Sequence, residues 1–251
     1  MLTYREYAPD RRLAPLVKCL WTLRGTDDAP RPERILPDGS FELIFHLGDP
    51  FEQAGAAQPA AMLMGEIRRA VIIRPSTRAD VLGIRFRRGG ASGFFQMPMR
   101  ELCGVVAPLD DVVRGLCGPV FDSPDPMAQA QSMLARRITA PNRVAGRAIS
   151  LIESRRGDIR IRALAAQIGT TERTLERLFD THVGVSPKVL ARIIRLQATL
   201  RGEEAGYHDD AHRLHEFREL AGVSPSAFLR EQNAVNAAIV GNLQDAPRTD
   251  C

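Results

Sequence analysis

The sequence predicts an α+β fold: a β-rich N-terminal domain (residues 1–140), an all-α C-terminal domain (141–235) and a polar, frayed tail (236–251). Three observations predict it. Short apolar runs bounded by turn residues fill the first part. Beyond Thr139-Ala140-Pro141-Asn142 every segment of any length has helical period, with no strand signal. A segment of the second part, moreover, occurs twice.

In the first part, "RILPDGSFELIFHL" (34–47) places a Pro-Asp-Gly turn before a run of Phe, Leu and Ile. "RAVIIRP" (69–75) and "ADVLGIRF" (79–86) are further short runs of strand composition. After Phe86 the texture changes. "RRGGASG" (87–93) leads into the more helix-like "RELCGVVAPLDDVVRGL", and "PDPMAQAQSMLARRI" (124–138) reads as a helix. The chain of 251 residues is long enough to bury a sizeable core. Its four cysteines, Cys19, Cys103, Cys117 and Cys251, form no C-x-x-C pair and no metal-finger spacing. With no signal-peptide pattern and no apolar run near bilayer length, the expectation is a reduced, cytoplasmic protein that meets no membrane.

A net charge of +4 hides an uneven distribution. Residues 1–142 carry 18 Lys/Arg against 16 Asp/Glu, 143–201 carry 12 against 5, and 202–251 carry 4 against 9. A basic middle block suits a polyanionic partner, although a solvated charged face has the same composition.

The repeat lies in and beyond this block. "GVSPKVLAR" (184–192) returns as "GVSPSAFLR" (222–230), 38 residues later, and Phe179 and Phe217 share that offset. Each Ser-Pro is a helix start, with serine capping free N–H groups and proline at the first helical position. Two copies of one helical unit point to a duplicated module.

Within "IRALAAQIGTTERTLERLF" (161–179), Leu164, Ala165 and Ile168 mark the buried face of one helix, and Leu175 and Leu178 anchor another. Ala165 is small enough for the steep crossing, and Gly169 tolerates the left-handed turn. The outer face of the second helix then carries Thr171, Arg173, Thr174 and Arg177. Two arginines four residues apart project from one side, as entry into a major groove requires. A surface hairpin with solvated arginines is the plain alternative; the basic block and the repeat favour DNA.

Residues 163–197 and 205–231 resemble the DNA-binding domain of AraC/XylS-type transcription regulators, two helix-turn-helix units joined by a long helix. The second piece, "AGYHDDAHRLHEFRELAGVSPSAFLRE", carries the Gly-Tyr, His, Phe, Gly and Ser-Pro-x-x-Phe-x-Arg pattern. "LPDGSFELIFHLGDP", "VLGIRFRRGGASGFF" and "APLDD" also resemble an N-terminal domain of undefined role that often precedes it. The resemblance implies a sequence-specific DNA-binding transcription regulator, activator or repressor, and no enzyme. Its reading helix is 171–179, its DNA contacts Thr171, Arg173, Thr174, Arg177, Arg192, Arg195, His208 and Arg213. Arg143, Arg147, Arg155 and Arg156 are further phosphate candidates. Double-stranded DNA is the expected partner. RNA polymerase, a small-molecule effector in the β-rich domain and a second copy of the chain remain open. The alternative is a small-molecule-binding protein with a degenerate DNA-binding domain.

One departure stands out. The apolar helix that should precede Gly206-Tyr207 is missing, since "RLQATLR" runs almost directly into "GEEAGYHDD". About ten residues are absent relative to the first unit, so the second unit reads as a remnant. Its helix, 208–220, is expected to dock on the linker helix or be loosely held, and its acidic balance would repel phosphate.

Other constellations are weaker. His208, His212 and His215 share a helical face with Asp209 and Asp210 nearby, but the resemblance places them in the second recognition helix, where polar residues are expected, and no H-E-x-x-H base is present. "RRGGASG" has the setting of a phosphate cradle without Walker or dinucleotide spacing, and a tight strand-to-helix bend is the simpler reading. His46 reads as a half-buried strand residue and Trp21 as core. No nucleophile-base set has supporting context, and no cofactor or metal is expected.

Overall fold

Ten strands form two antiparallel sheets in a computed structural model that describes residues 2–207 and 209–231. His208 and the tail 236–251 therefore lie outside the described residues. The larger sheet has six strands. In spatial order they are β1 (Leu2–Tyr7), β2 (Val17–Thr26), β9 (Arg78–Phe86), β4 (Glu42–His46), β7 (Ala61–Met64) and β10 (Val106–Pro108). The smaller has four: β3 (Glu33–Ile35), β8 (Val71–Arg74), β5 (Glu52–Gln53) and β6 (Ala56–Ala57).

Strand alternation sorts the larger sheet's side chains onto two buried faces. Leu43, Phe45, Leu63, Leu82, Ile84 and Phe86 point to one core. Ile44, Met62, Met64 and Val81 point to the other. A bulge between Val17 and Cys19 on β2 shifts the register, putting Val17 and Leu20 on the first face and Cys19 and Trp21 on the second. The first face is covered by Phe94, Phe95 and three short helices, α1 (Leu109–Val112), α2 (Cys117–Phe121) and α3 (Pro126–Ala135). The second is covered by Ile73 and Phe51 from in and around the smaller sheet.

From residue 143 onward the described chain is helical: α4 (Arg143–Ser154), α5 (Ile161–Gln167), α6 (Glu172–His182), α7 (Pro187–Leu200), α8 (Asp210–Ala221) and α9 (Pro225–Arg230). The duplicated segment starts α7 and α9 by the same chemistry. Ser186 accepts from Val189 N and Ser224 from Ala227 N, each with proline in the first turn. The glycines of the two copies take positive φ, 98° at Gly184 and 75° at Gly222. Helices α4 to α7 share a core built on Ile152, Leu164, Leu175, Phe179 and Ile194. A smaller cluster joins Leu196 of α7 to Phe217, Leu220 and Phe228.

The expected helix 208–220 is α8, and it packs on α7. Between them, 201–207 contains no helix. This segment lies instead against the end of α4, with Arg156 Nε 3.4 Å from Glu203.

The helices rest directly on the β-rich part. Gln197 donates to Pro37 O at 2.7 Å, and Ala70 N donates to Leu220 O at 2.7 Å. Arg34 pairs with Glu231 at 2.9 Å. The corner at Gly184 abuts Phe41 and Met99, and the corner at Gly222 abuts Arg34.

Candidate nucleic-acid interface and ligand cavity

The α5–α6 corner is built by the residues that its sequence singles out. Ala165 is buried and its carbonyl accepts from Thr170 N at 2.9 Å, while Gly169 turns the chain with φ of 73°. Leu175 and Phe179 pin α6 to the core. Thr171 is not in the helix: it is the N-cap, accepting from Thr174 N at 3.2 Å, and α6 continues to His182 rather than ending at Phe179. Thr171, Arg173, Thr174 and Arg177 are all exposed. Neither arginine forms an ion pair among the described residues. Glu172, Glu176 and Asp180 on the same helix temper its charge. The cationic ridge is therefore narrow, two guanidinium groups one turn apart.

Arg192 and Arg195 behave otherwise than expected. Arg192 sits 3.3 Å from Glu216 and also pairs with Glu219; Arg195 contacts Glu216 at 2.9 Å and donates to Gly157 O at 2.8 Å. Glu216 is buried, so these arginines neutralise a carboxylate inside the α7–α8 contact. Arg213 pairs with Asp210 at 2.9 Å. His208 lies outside the described residues. Arg143, Arg147 and Arg155 are exposed, and Arg156 leans on Glu203.

"RRGGASG" proves to be a packing device. A side chain at Gly90 would overlap Leu16, and one at Gly93 would crowd Leu16 and Thr139. Arg87 donates to Ala14 O and Arg88 to Asp38 O. No group of three or more metal-ligating side chains occurs among the described residues.

The second face of the large sheet encloses a cavity of about 120 Å³. Its walls are mostly apolar, including Leu23, Ile35, Ile44, Met64 and Ile73, and α7 and α9 close it with Leu200 and Phe228. Trp21 lies against Gly83, which has no side chain to obstruct it, and stacks on Tyr4 with ring centroids 5.8 Å apart. At one end Arg85 contacts Glu42 closely and stands 3.6 Å from Glu6 and 3.7 Å from Asp38. Burial works to lower the Arg85 pKa, but Glu42 and Asp38 more than offset it and hold the guanidinium well above its ordinary value. Burial pushes Glu42 up, opposed mainly by Arg85.

His46 is buried more deeply than the expected half-buried strand position. Its Nε2 lies 3.1 Å from Gln58 Oε1, Gln58 donates its own amide to Gln53, and burial lowers the imidazole pKa. Trp21, expected as core only, also lines the cavity, as do Glu42 and Arg85. Sequence spacing gave no hint of this convergence, because seven strands, β1–β4 and β7–β9, and two distant helices supply the walls.

No curated protein matches the chain. A family model described as a domain of unknown function, DUF6597, matches residues 5–108. Among solved structures, apo ToxT from Vibrio cholerae is similar at 10% identity and a TM-score of 0.45, over 93% of this chain and 97% of that one. ToxT with an unsaturated fatty acid bound gives 11%, 0.42, 82% and 96%. The AraC-like transcriptional activator CuxR gives 13%, 0.29, 80% and 88%. At these values the likeness is one of general arrangement. No helix among the described residues is long and apolar enough to cross a membrane.

Proposed function

We propose that this chain is a sequence-specific DNA-binding transcription regulator of the AraC/XylS type, reading DNA mainly through α6. The supporting observation is the α5–α6 corner, which leaves Arg173 and Arg177 exposed and unpaired among the described residues while Leu175 and Phe179 fix the helix from behind. Inserted N-terminal end first, α6 would offer the two arginines to guanine edges or phosphates, with Thr174 as a shorter contact. The sequence resemblance over residues 163–197 supports the same reading.

The second unit is a poor DNA reader on this view. No helix backs α8 between 201 and 207, Asp210 sits in its first turn, and Arg192 and Arg195 hold Glu216. With one working unit, a second copy of the chain would supply the other half-site. The cavity under α7 and α9 is the natural effector site, since its occupant would touch both the sheet and the helices. We read no catalytic set, and the expected partners are DNA, an effector and the transcription machinery.

Binding-site selection from fragmented genomic DNA with the purified full-length chain tests the proposal. A defined motif, with affinity falling steeply as salt rises, is the expected result. Absence of any salt-sensitive DNA binding would instead favour a small-molecule-binding protein with a degenerate helical domain. The acidic, incomplete second unit is the observation behind that second reading.

A further inference from the structure

We infer that the cavity between the large sheet and helices α7 and α9 takes a small apolar molecule bearing a protonated amine. This rests on reading the cavity as an effector site, and it adds the chemical class of the occupant.

Charge comes first. Asp38 and Glu42 line the cavity and, with Glu6, surround the single guanidinium of Arg85. Three carboxylates stand within 4.0 Å of this one buried cation, with the exposed Lys18 acting on Glu42 from further off, so carboxylates outnumber the cations at this end. Arg85 is thus already engaged and cannot serve as a free anchor for an anionic ligand. A carboxylate placed here would meet like charge in a partly desolvated setting.

Hydrogen-bonding polarity agrees. Gln58 donates its amide to Gln53, which leaves its oxygen to accept from His46 Nε2. The His46 proton therefore sits on Nε2, and Nδ1 is a bare acceptor, buried and without a partner. Gln197 donates Nε2 to Pro37, and its Oε1 is likewise buried without a partner. Both side chains line the cavity, and both lack a donor. Only Trp21 Nε1 has the opposite need, for a single acceptor. Among the lining side chains two unmet, covered acceptors thus stand against one unmet donor.

The aromatic lining is compatible with a cation as well. Trp21, Tyr4 and Phe51 present ring surface around the space, and ring faces attract ammonium groups. Size limits the ligand: engineered apolar cavities of about 150 Å³ hold benzene, so the 120 Å³ here favours a short chain over a substituted six-membered ring.

The test uses the full-length chain and matched sets of an amine, a carboxylic acid and an alcohol on phenylmethyl, cyclohexylmethyl and butyl skeletons. Thermal melting and calorimetric titration at neutral pH should show at least one amine binding roughly tenfold or more tightly than its matched acid. Asp38→Asn and Glu42→Gln, read by the same titrations, should reduce that preference. Tighter binding of the acids, no amine preference, or no amine raising the melting temperature at millimolar concentration would overturn the ligand class. Fluorescence anisotropy on selected DNA, with and without the bound amine, is read separately. Amine binding that leaves DNA affinity unchanged overturns the effector reading while the ligand class stands.

Discussion

Trp21 occupies the space that a side chain at Gly83 would need, so an alanine methyl there would overlap the indole. The two residues face each other across the β2–β9 pair, and the ring forms part of the cavity wall. Gly83→Ala should therefore displace the indole and cost about 1–3 kcal/mol by overpacking. Urea unfolding followed by the fluorescence of the chain's only tryptophan checks both effects at once. An unchanged spectrum and midpoint would mean that the ring is not held there.

Arg173 and Arg177 carry the proposed DNA contact. Arg173→Ala should weaken a selected site by about 1–3 kcal/mol if the guanidinium grips a base, with little loss on unrelated DNA. Anisotropy titrations on both DNAs separate this from a phosphate contact, which would weaken them alike.

The second unit gives the opposite expectation. Joint replacement of His212 and Arg213 by alanine should leave affinity and salt slope close to those of the unaltered chain. Arg213 already pairs with Asp210, and His212 stands 3.5 Å from Glu216. A loss comparable to that of Arg173→Ala, measured on the same site, would return α8 to the DNA interface.

Glu216 holds the helical domain together. Its buried carboxylate bridges Arg192 and Arg195, so Glu216→Ala leaves two partly buried cations without their counter-charge. Breaking a buried pair from one side typically costs about 3–5 kcal/mol, and Glu219 remains to screen Arg192, so the lower end is expected. Chemical denaturation measures it, and hydrogen exchange should show α8 opening first.

Glu66 predicts a pH dependence. It is fully buried, both carboxylate oxygens lack partners, and burial raises its pKa well above the ordinary value. The folded chain keeps this group protonated while the unfolded chain loses the proton near about pH 4.3. Its penalty is thus absent below that pH and grows as pH rises toward the folded value. Glu66→Gln should match the unaltered chain near about pH 4 and be the more stable of the two at neutral pH. Denaturation curves at both pH values decide.

Local features were legible in the sequence where a few neighbouring residues dictate them. Gly169 and Ala165 announced the α5–α6 corner, and the two Ser-Pro pairs announced the starts of α7 and α9. "FELIFHL" and "ADVLGIRF" announced β4 and β9 by composition alone. Long-range partnerships were not legible. Nothing near Arg192 or Arg195 indicates that Glu216 and Glu219, more than 20 residues on, would claim them. The cavity was invisible for the same reason, because strand register and two remote helices bring Trp21, His46, Glu42 and Arg85 together. Gly90 and Gly93 read as a tight strand-to-helix bend with a phosphate loop as the weaker alternative, because close backbone packing and anion binding both select glycine.

The duplicated Gly-Val-Ser-Pro corners both abut the β-rich part, one at Phe41 and Met99, the other at Arg34. The span from α6 to α8 then rests on two points of the β-rich part, one beside the larger sheet and one on β3 of the smaller, and not on α7 alone. The pair works as a caliper whose jaws are bolted to separate plates. Any change that slides one plate past the other must alter the opening between the jaws.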